Sequence, residues 1–196
     1  DESISYVNEE FGLHFEFNPT SFTQINPFVN QVLIRKAMQL LNPQPEELII
    51  DFFCGLGNFT LPIASYGTKV IGIEGDAILV KSANINAKKN KLDHLTTFKE
   101  MDLFKISEDQ LSKLGNASKW VIDPPRDGAL NLINAINKSN RPSIICYISC
   151  NPASLARDAS ILTNEKGYRF AKAGILNMFP HTSHVESMAL FEINES

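Results

Sequence analysis

The chain has 196 residues, of which 43% are hydrophobic and 20% charged, and its formal net charge is −4. This length and composition predict a single buried core. The acidic charge argues against a protein that coats nucleic acid through bulk positive charge, and leaves open a local basic patch or a basic module outside this chain. No apolar stretch is long enough to span a membrane, and the three cysteines match neither a zinc-binding spacing nor a disulfide framework, so we expect a cytoplasmic protein with reduced thiols.

The predicted elements begin with a hairpin over residues 6–17, which turns at Glu10-Phe11-Gly12, and a helix over Pro27–Leu41. From residue 48 onward, short apolar runs alternate with helix-like stretches such as Asp76–Asn90, whose apolar residues recur at helical spacing. The runs are LIIDFFC (48–54), KVIGIE (69–74), TTFKEM (96–101), KWVIDPP (119–125), SIICYISC (143–150), FAKAGILNM (170–178) and SMALFEIN (187–194).

Strands that alternate with helices predict an α/β fold, with a mostly parallel sheet of seven strands covered by helices on both faces. A loop that contains proline joins the last two runs, which predicts an antiparallel pair at one edge. The hairpin and the lead-in helix (1–45) are expected to pack on an α/β domain (46–196). In such sheets ligands bind at the carboxyl ends of the strands, so the polar residues there are the candidates for function.

The first strand ends in DFFCGLGNFT, a glycine turn. Gly55 and Gly57 allow the backbone to approach a ligand closely, and Glu74 ends the second strand near the offset at which an acid binds ribose hydroxyls. Position 60 carries threonine, where a dinucleotide fingerprint has a third Gly or Ala. With Asp102 after the third strand, the pattern favours a nucleoside ligand over an ordinary strand-to-helix turn, and the missing glycine favours adenosine without pyrophosphate, as in S-adenosylmethionine (SAM).

The fourth strand ends in IDPPRDG, where Asp123 precedes two prolines that hold the chain extended. Two interpretations stand equal. The segment is either a rigid turn before a helix that starts near Ala129, or a stiff wall beside a planar base, with Asp123 accepting a hydrogen bond.

The fifth strand ends in Cys150, directly before Asn151-Pro152, a pair that caps and begins a helix. Free thiols usually behave as small hydrophobes, which fits Cys146 inside the strand but not Cys150 at the ligand edge. The amino end of a helix favours a thiolate and predicts a lowered pKa. Cys150 is therefore predicted to be a nucleophile. Glu186, which opens the final strand, is either an ordinary exposed edge residue or a general base beside that nucleophile.

A metal site is not expected, because His181, His184 and Glu186 lack further ligands and Cys150 alone adds too little.

The sequence resembles the catalytic domain of bacterial RNA uracil-5-methyltransferases, SAM-dependent enzymes that make 5-methyluridine. The matching blocks run in family order from about residue 20 to residue 192: SFTQIN, DFFCGLGNFTLPIA, IDPPRDGA, YISCNPASLARD and MFPHTSHVESMALF. The form HVESM in the last block is most similar to the branch that methylates 23S ribosomal RNA. The resemblance implies a Rossmann-like, SAM-dependent methyltransferase domain over residues 46–196.

The resemblance also implies roles for single residues. Cys150 matches the family's nucleophile and Glu186 its base, while Phe22 and Arg126 match positions that contact the target base. Together with Gly55 of the glycine turn, the SAM-binding set consists of Gln24, Phe53, Asn58, Glu74, Asp102 and Asp123. Large-subunit members often carry an upstream RNA-binding β-barrel and a four-cysteine iron–sulfur cluster. Neither is present here, so we expect a catalytic fragment whose partners are RNA, 23S rRNA in particular, and an RNA-binding domain outside this chain.

Three alternatives stay open. A tRNA uracil-5-methyltransferase would use the same residues. A methyltransferase for exocyclic amino groups needs an aromatic residue after the two prolines, where Arg126 stands, and it leaves Cys150 without a role. An RNA-binding accessory domain without activity does not explain the joint presence of Cys150, Glu186 and Glu74.

Overall fold

The computed structural model describes residues 4–17, 27–177 and 185–194. The chain divides into two compact units, Asp1–Met101 and Asp102–Ser196. The boundary between residues 45 and 46 that the sequence suggests stays a prediction. Within the described ranges, none of the helices combines the length and the apolar character that crossing a membrane requires.

The first unit consists of a hairpin, a helix and three parallel strands. The hairpin pairs β1 and β2 in antiparallel register, and β4 pairs in parallel with β3 on one side and β5 on the other. The elements are β1 (Ile4–Asn8), β2 (Leu13–Phe17), α1 (Pro27–Leu41), β3 (Leu48–Phe52), α2 (Thr60–Ala64), β4 (Lys69–Glu74), α3 (Ala77–Lys89) and β5 (Thr96–Glu100).

Asn86 of α3 and Asn90, the residue that caps the carboxyl end of α3, hold the hairpin against this helix. The Asn86 amide accepts a hydrogen bond from the Glu16 N–H at 2.8 Å and donates to the Glu16 carbonyl at 3.2 Å. One turn later, Asn90 makes the same pair of bonds with His14, at 2.8 and 2.7 Å. Because these amides present a donor and an acceptor side by side, they bind β2 in the way that a neighbouring strand would.

The second unit contains parallel and antiparallel strands. β6 and β7 pair in parallel, while β9 pairs antiparallel with both β7 and β8 and therefore lies between them. Its core includes the fully buried Trp120, Tyr147 and Phe191. The elements are α4 (Glu108–Ser112), β6 (Lys119–Ile122), α5 (Leu130–Asn134), β7 (Ile144–Ser149), α6 (Pro152–Asn164), β8 (Tyr168–Asn177) and β9 (Val185–Ile193).

The structure confirms the predicted α/β class, in which mostly parallel strands are followed by an antiparallel end. The hairpin, α1 and α3 lie where the sequence places them, and Asp76 caps α3 by accepting a hydrogen bond from the Ile78 N–H at 2.7 Å. Four residues of interest, Phe22, Gln24, His181 and His184, lie outside the described residues.

Candidate active site

The glycine turn after β3 has an unusual backbone. Phe53, Gly55 and Gly57 all have positive φ angles, of 62°, 55° and 96°. Glycine adopts this region without steric cost, whereas at Phe53 it costs about 1–2 kcal/mol. A methyl group added at Gly55 would meet no heavy atom of the described residues within 4 Å, so the space beside this residue is open with respect to that part of the chain. Strain at a non-glycine residue next to open space is typical of a ligand-binding loop.

Glu74, at the end of β4, fixes this turn in place. Its Oε2 accepts a hydrogen bond from the Gly55 N–H at 2.9 Å, and its Oε1 accepts from the N–H groups of Gly75 and Asp76 at 2.7 and 3.1 Å. A carboxylate oxygen accepts about two hydrogen bonds. Since the three backbone bonds leave one acceptor position on Oε2, Glu74 has capacity for one hydroxyl of a ligand.

Asn58 faces the protein interior through its amide. Asn58 and Asn30 of α1 exchange two amide hydrogen bonds, at 2.8 and 2.9 Å, and the Tyr6 hydroxyl donates to the same Asn58 oxygen at 3.2 Å. These bonds tie the turn to the hairpin and to α1. The structure therefore shows Asn58 as an anchor of the turn, and its predicted contact with SAM stays a prediction.

Asp51 is a buried acid that the sequence reading did not single out. Its side chain has no exposed surface, and its Oδ2 accepts a hydrogen bond from the Thr60 hydroxyl at 2.6 Å. Burial, with a smaller contribution from the charge of Glu74, raises the pKa of Asp51 from 3.8 to about 7, although the hydrogen bonds from Thr60 act to lower it. This contact explains the threonine at position 60, since glycine or alanine there would leave the buried carboxyl without its donor.

Cys150 and Glu186 are brought together by strand register. β7 and β9 pair antiparallel, and the last pair at this end joins Ser149 to Ser187. Cys150 and Glu186 are the next residues beyond this pair on the two chain segments, and the charge of Glu186 acts on the Cys150 thiol, which indicates that the two side chains lie near each other. Both side chains are half-buried, so a thiol and a carboxylate face the same partly enclosed space.

The electrostatics of this pair correct one expectation. Burial raises the pKa of Cys150, and the carboxylates of Glu186 and Asp123 raise it further, while its own backbone hydrogen bond and Arg126 lower it. The lowered pKa predicted from the helix amino end is therefore wrong, because desolvation and two nearby acids outweigh the backbone amide. Burial also raises the pKa of Glu186, which makes its ionised form a stronger base.

The residues on either side of Cys150 hold it rigidly. Ser149 donates through its hydroxyl to the Asn151 carbonyl at 2.9 Å and accepts from the Asn151 N–H at 3.0 Å. Asn151 then caps α6 by accepting from the Ala153 N–H at 3.1 Å, and Pro152 occupies the first turn. The predicted cap is confirmed, and Cys150 stands between a strand end and a helix start that share hydrogen bonds.

The remaining candidates flank strand ends. Asp123, after β6, is half-buried, and Arg126 is exposed. The Gly128 N–H donates to the Pro125 carbonyl at 2.9 Å, so the segment after the prolines is a tight turn. This agrees with the interpretation of the segment as a rigid turn before a helix. Asp102, at the start of the second unit, accepts from the Phe104 N–H at 3.0 Å and pairs with Lys105 at 3.1 Å.

Comparison with known proteins agrees with this arrangement. The sequence model of the family described as tRNA (uracil-5-)-methyltransferase matches residues 2–194. The 23S rRNA (uracil(1939)-C(5))-methyltransferase RlmD of Dechloromonas aromatica is 55% identical over 190 residues, which are 97% of this chain and 44% of the relative. The protein of the same name from an Azoarcus species is 53% identical over 189 residues, 96% of this chain and 44% of the relative.

A solved structure is similar over the same extent. The tRNA (uracil-54, C5)-methyltransferase of Pyrococcus abyssi, in complex with S-adenosyl-L-homocysteine, superposes with a TM-score of 0.82 at 30% identity, covering 97% of this chain and 44% of that chain. The chain thus spans a little under half the length of these relatives. The match of the family model to nearly every residue, on the fold of a solved methyltransferase, shows that this chain belongs to the tRNA (uracil-5-)-methyltransferase family.

Proposed function

We propose that this chain carries out SAM-dependent methylation of C5 of a uridine in RNA, and that the RNA is 23S rRNA. The observation that supports the proposal is the β7–β9 pairing, whose last pair at this end, Ser149 and Ser187, directly adjoins Cys150 and Glu186. The relatives named as 23S rRNA methyltransferases share more than half of their aligned residues with this chain, while the solved tRNA enzyme shares 30%. This difference in sequence identity supports 23S rRNA as the substrate.

The chemistry of uracil explains why the two groups must act together. C5 of uracil is a poor nucleophile. When the Cys150 thiolate adds to C6, the S–C6 bond forms and the C5=C6 electrons move into an enolate, which makes C5 nucleophilic. After C5 has gained a methyl group, Glu186 removes the C5 proton. The C5=C6 double bond forms again, and the S–C6 bond breaks to release Cys150.

The properties of both residues suit these steps. Glu186 is half-buried and its pKa is raised, so it accepts a proton more readily than an exposed carboxylate does. Cys150 is half-buried, whereas Cys54 and Cys146 are buried, so of the three thiols it is the one that a base flipped out of an RNA helix can reach.

The first unit supplies residues that fit SAM. Glu74 retains one acceptor position for a ribose hydroxyl, and the open space beside Gly55 lets a ligand approach the strained backbone at Phe53. When bound, SAM supplies an electrophilic methyl group. Asn58, Asp102, Asp123 and Gln24 complete the proposed binding set, and Phe22 and Arg126 are proposed to contact the uracil.

A covalent trap tests this proposal. Glutamine in place of Glu186 keeps the size of the side chain but cannot accept the proton, so the methylated RNA should stay attached to Cys150. The complete gene product with Glu186→Gln, given SAM and either a 23S rRNA fragment or a tRNA transcript, should form a slowly migrating band on a denaturing gel with the 23S fragment.

Two further variants control the trap. Adding Cys150→Ala should remove the band, whereas adding Cys146→Ala should keep it, because Cys146 lies inside β7. Normal turnover by Glu186→Gln, or a band that survives Cys150→Ala, would contradict the assigned roles. A band with the tRNA transcript alone would reassign the substrate.

A further inference from the structure

The start of α6 binds the backbone of the turn that carries Arg126. We name residues 125–129 the arginine turn. The Asn151 amide donates to the Arg126 carbonyl at 2.9 Å, the Arg157 guanidinium donates to the Asp127 carbonyl at 2.8 Å, and Asp158 Oδ2 accepts from the Ala129 N–H at 2.7 Å. Three side chains from one short segment thus hold three backbone groups of the turn.

Asp158 is the centre of this set. It has no exposed surface, and four donors surround it: the Ala129 N–H, the Tyr147 hydroxyl at 2.6 Å, and two nitrogens of Arg157 at 2.8 and 2.7 Å. Tyr147 lies in the middle of β7, three residues before Cys150. The buried carboxylate therefore joins the arginine turn, β7 and α6 into one network.

Gly128 shows how closely the parts fit. Its φ is +78°, and a Cβ atom there would lie 2.6 Å from Arg157 Nη2 and 2.8 Å from Asp158 Oδ2. Any side chain would displace the ion pair that holds the turn. A glycine is therefore required both by the backbone angle and by the packing.

Stability alone does not account for such a network. Removing a carboxylate from water is costly, and a well-packed apolar group in its place is often as stabilising as the ion pair. A network of this kind is better explained by the geometry that it fixes. The group whose position depends on the arginine turn is Arg126, whose carbonyl is bound by Asn151, the residue directly after Cys150. The positive charge of Arg126 lowers the pKa of that thiol.

We propose that Asn151, Arg157 and Asp158 are positioning residues, which hold the arginine turn so that the Arg126 guanidinium stays beside the Cys150 thiol. In the described residues, the charged groups that act on this thiol are Glu186 from β9 and Asp123 and Arg126 from the segment after β6. Arg126 is the one cation among them, and it offsets the two carboxylates. The catalytic meaning of this arrangement rests on the proposed function, but its effect on the thiol does not.

The test measures the thiol directly, without RNA or SAM. Alkylation of Cys150 by iodoacetamide is followed by mass spectrometry across a pH series, in the unmodified chain and in the Asn151→Ser variant. Serine still caps a helix but is too short to reach the Arg126 carbonyl. We expect the midpoint of the pH profile to move upward and the rate at pH 8 to fall about three- to tenfold, since one unit of pKa changes the thiolate fraction tenfold.

A double variant identifies Arg126 as the link. Arg126→Gln should raise the midpoint by itself. Adding Asn151→Ser to it should raise the midpoint no further, because the hydrogen bond from Asn151 to the arginine turn then has no positive charge to position. Asp158→Asn, if it folds, should behave as Asn151→Ser does. The matched control is Asn164→Ser, the same substitution near the exposed end of α6, which should leave the profile unchanged.

Two results would overturn the proposal: a profile that Asn151→Ser does not move, or a shift of equal size with and without Arg126. If the network only stabilised the fold, the variants would have a lower melting temperature, but the midpoint of the pH profile of alkylation would not move. Loss of methylation in the complete gene product without these shifts would count against the positioning role alone. The expected shifts in a protein that forms no RNA adduct would instead refute the proposed function.

Discussion

At the scale of single residues, Asp51 connects the fold to the candidate cofactor loop. It is the first residue of the block DFFCGLGNFT and lies fully buried at the end of β3. One oxygen binds the Thr60 hydroxyl, while the other has no hydrogen-bond partner within the part of the chain that the structure describes. A buried acid in such a position favours its protonated form, because the charged form has lost its hydration.

Asp51 predicts a pH dependence of stability. Its pKa rises from 3.8 to about 7 on folding, so between these values the folded chain keeps a proton that the unfolded chain has lost. The free energy of unfolding should therefore fall as the pH rises from about 4 to about 7, and level off above. The full effect is about 4 kcal/mol, since one unit corresponds to about 1.4 kcal/mol.

Urea unfolding across this pH range checks the prediction in an Asp51→Asn variant. Asparagine does not titrate, so the variant should lose less stability than the unmodified chain as the pH rises, and the difference between the two should change by up to about 4 kcal/mol. Asp93→Asn, at an exposed position, is the control and should run parallel to the unmodified chain. Parallel curves for Asp51→Asn would show that Asp51 titrates normally in the fold.

At the scale of elements, side-chain amides of α3 make hydrogen bonds to the hairpin backbone that a neighbouring strand would otherwise make. Asn86 binds both backbone groups of Glu16 and also donates to the Leu56 carbonyl in the glycine turn at 3.2 Å. Lys89 adds an ion pair with Glu16. Below these contacts, Leu13, Phe15, Leu56, Leu61 and Ala87 form a buried apolar cluster. The hairpin is thus part of the support of the glycine turn.

Asn86→Ala should weaken this support strongly. It leaves three backbone groups without their partner, two of them on β2 and one in the glycine turn, and each buried group left unpaired costs about 1–3 kcal/mol. We expect a loss of about 3 kcal/mol in the free energy of unfolding, with faster hydrogen exchange at Glu16. Exchange in β7, which belongs to the second unit, should change only by the global loss of stability.

Asn84→Ala on the same helix is the matched control. The Asn84 amide is exposed and donates to the Val80 carbonyl of its own helix at 2.8 Å, so its loss should cost less than about 0.5 kcal/mol. Equal effects of the two substitutions would contradict the role assigned to Asn86.

Sequence patterns predicted the elements better than the contacts between their side chains. Pro27–Leu41 and the helix after Asp76 have strong local signals, namely apolar periodicity and a capping residue. The insertion of β9 between β7 and β8 depends on tertiary packing, which no local pattern encodes. The pattern of a strand end followed by a helix cap found Cys150, but the direction of its pKa depends on Glu186 and Asp123, which are distant in the sequence.

The same limit applies to the residues that support the site. Asn30 and Asp158 are buried polar residues whose partners lie 28 and 29 residues away. A buried asparagine in a helix and an acid in a helix interior carry no local signal of their partners.

At the scale of the whole molecule, charge sets the limits on RNA binding. The chain has 18 lysines and arginines against 22 acidic residues, so it lacks the excess of cations that usually supplies affinity for a phosphate backbone. The longer relatives contain more than half of their length outside the matched region. We therefore expect this chain to recognise the target uracil through shape and local contacts, and to contribute little of the general affinity for RNA.

The salt dependence of RNA binding measures this contribution. For single strands, the slope of log K against log salt is about −0.7 per phosphate neutralised. We expect this chain to bind a 23S rRNA fragment with a slope shallower than about −3, which corresponds to roughly four phosphate contacts.

The full-length Dechloromonas aromatica relative, measured with the same fragment, should bind more tightly and with a steeper slope. Calorimetry of SAM binding to the chain provides the control, because the folded chain should bind SAM whether or not RNA binds. A slope for this chain as steep as that of the full-length relative would show that its own surface concentrates positive charge along the RNA, despite its net charge of −4.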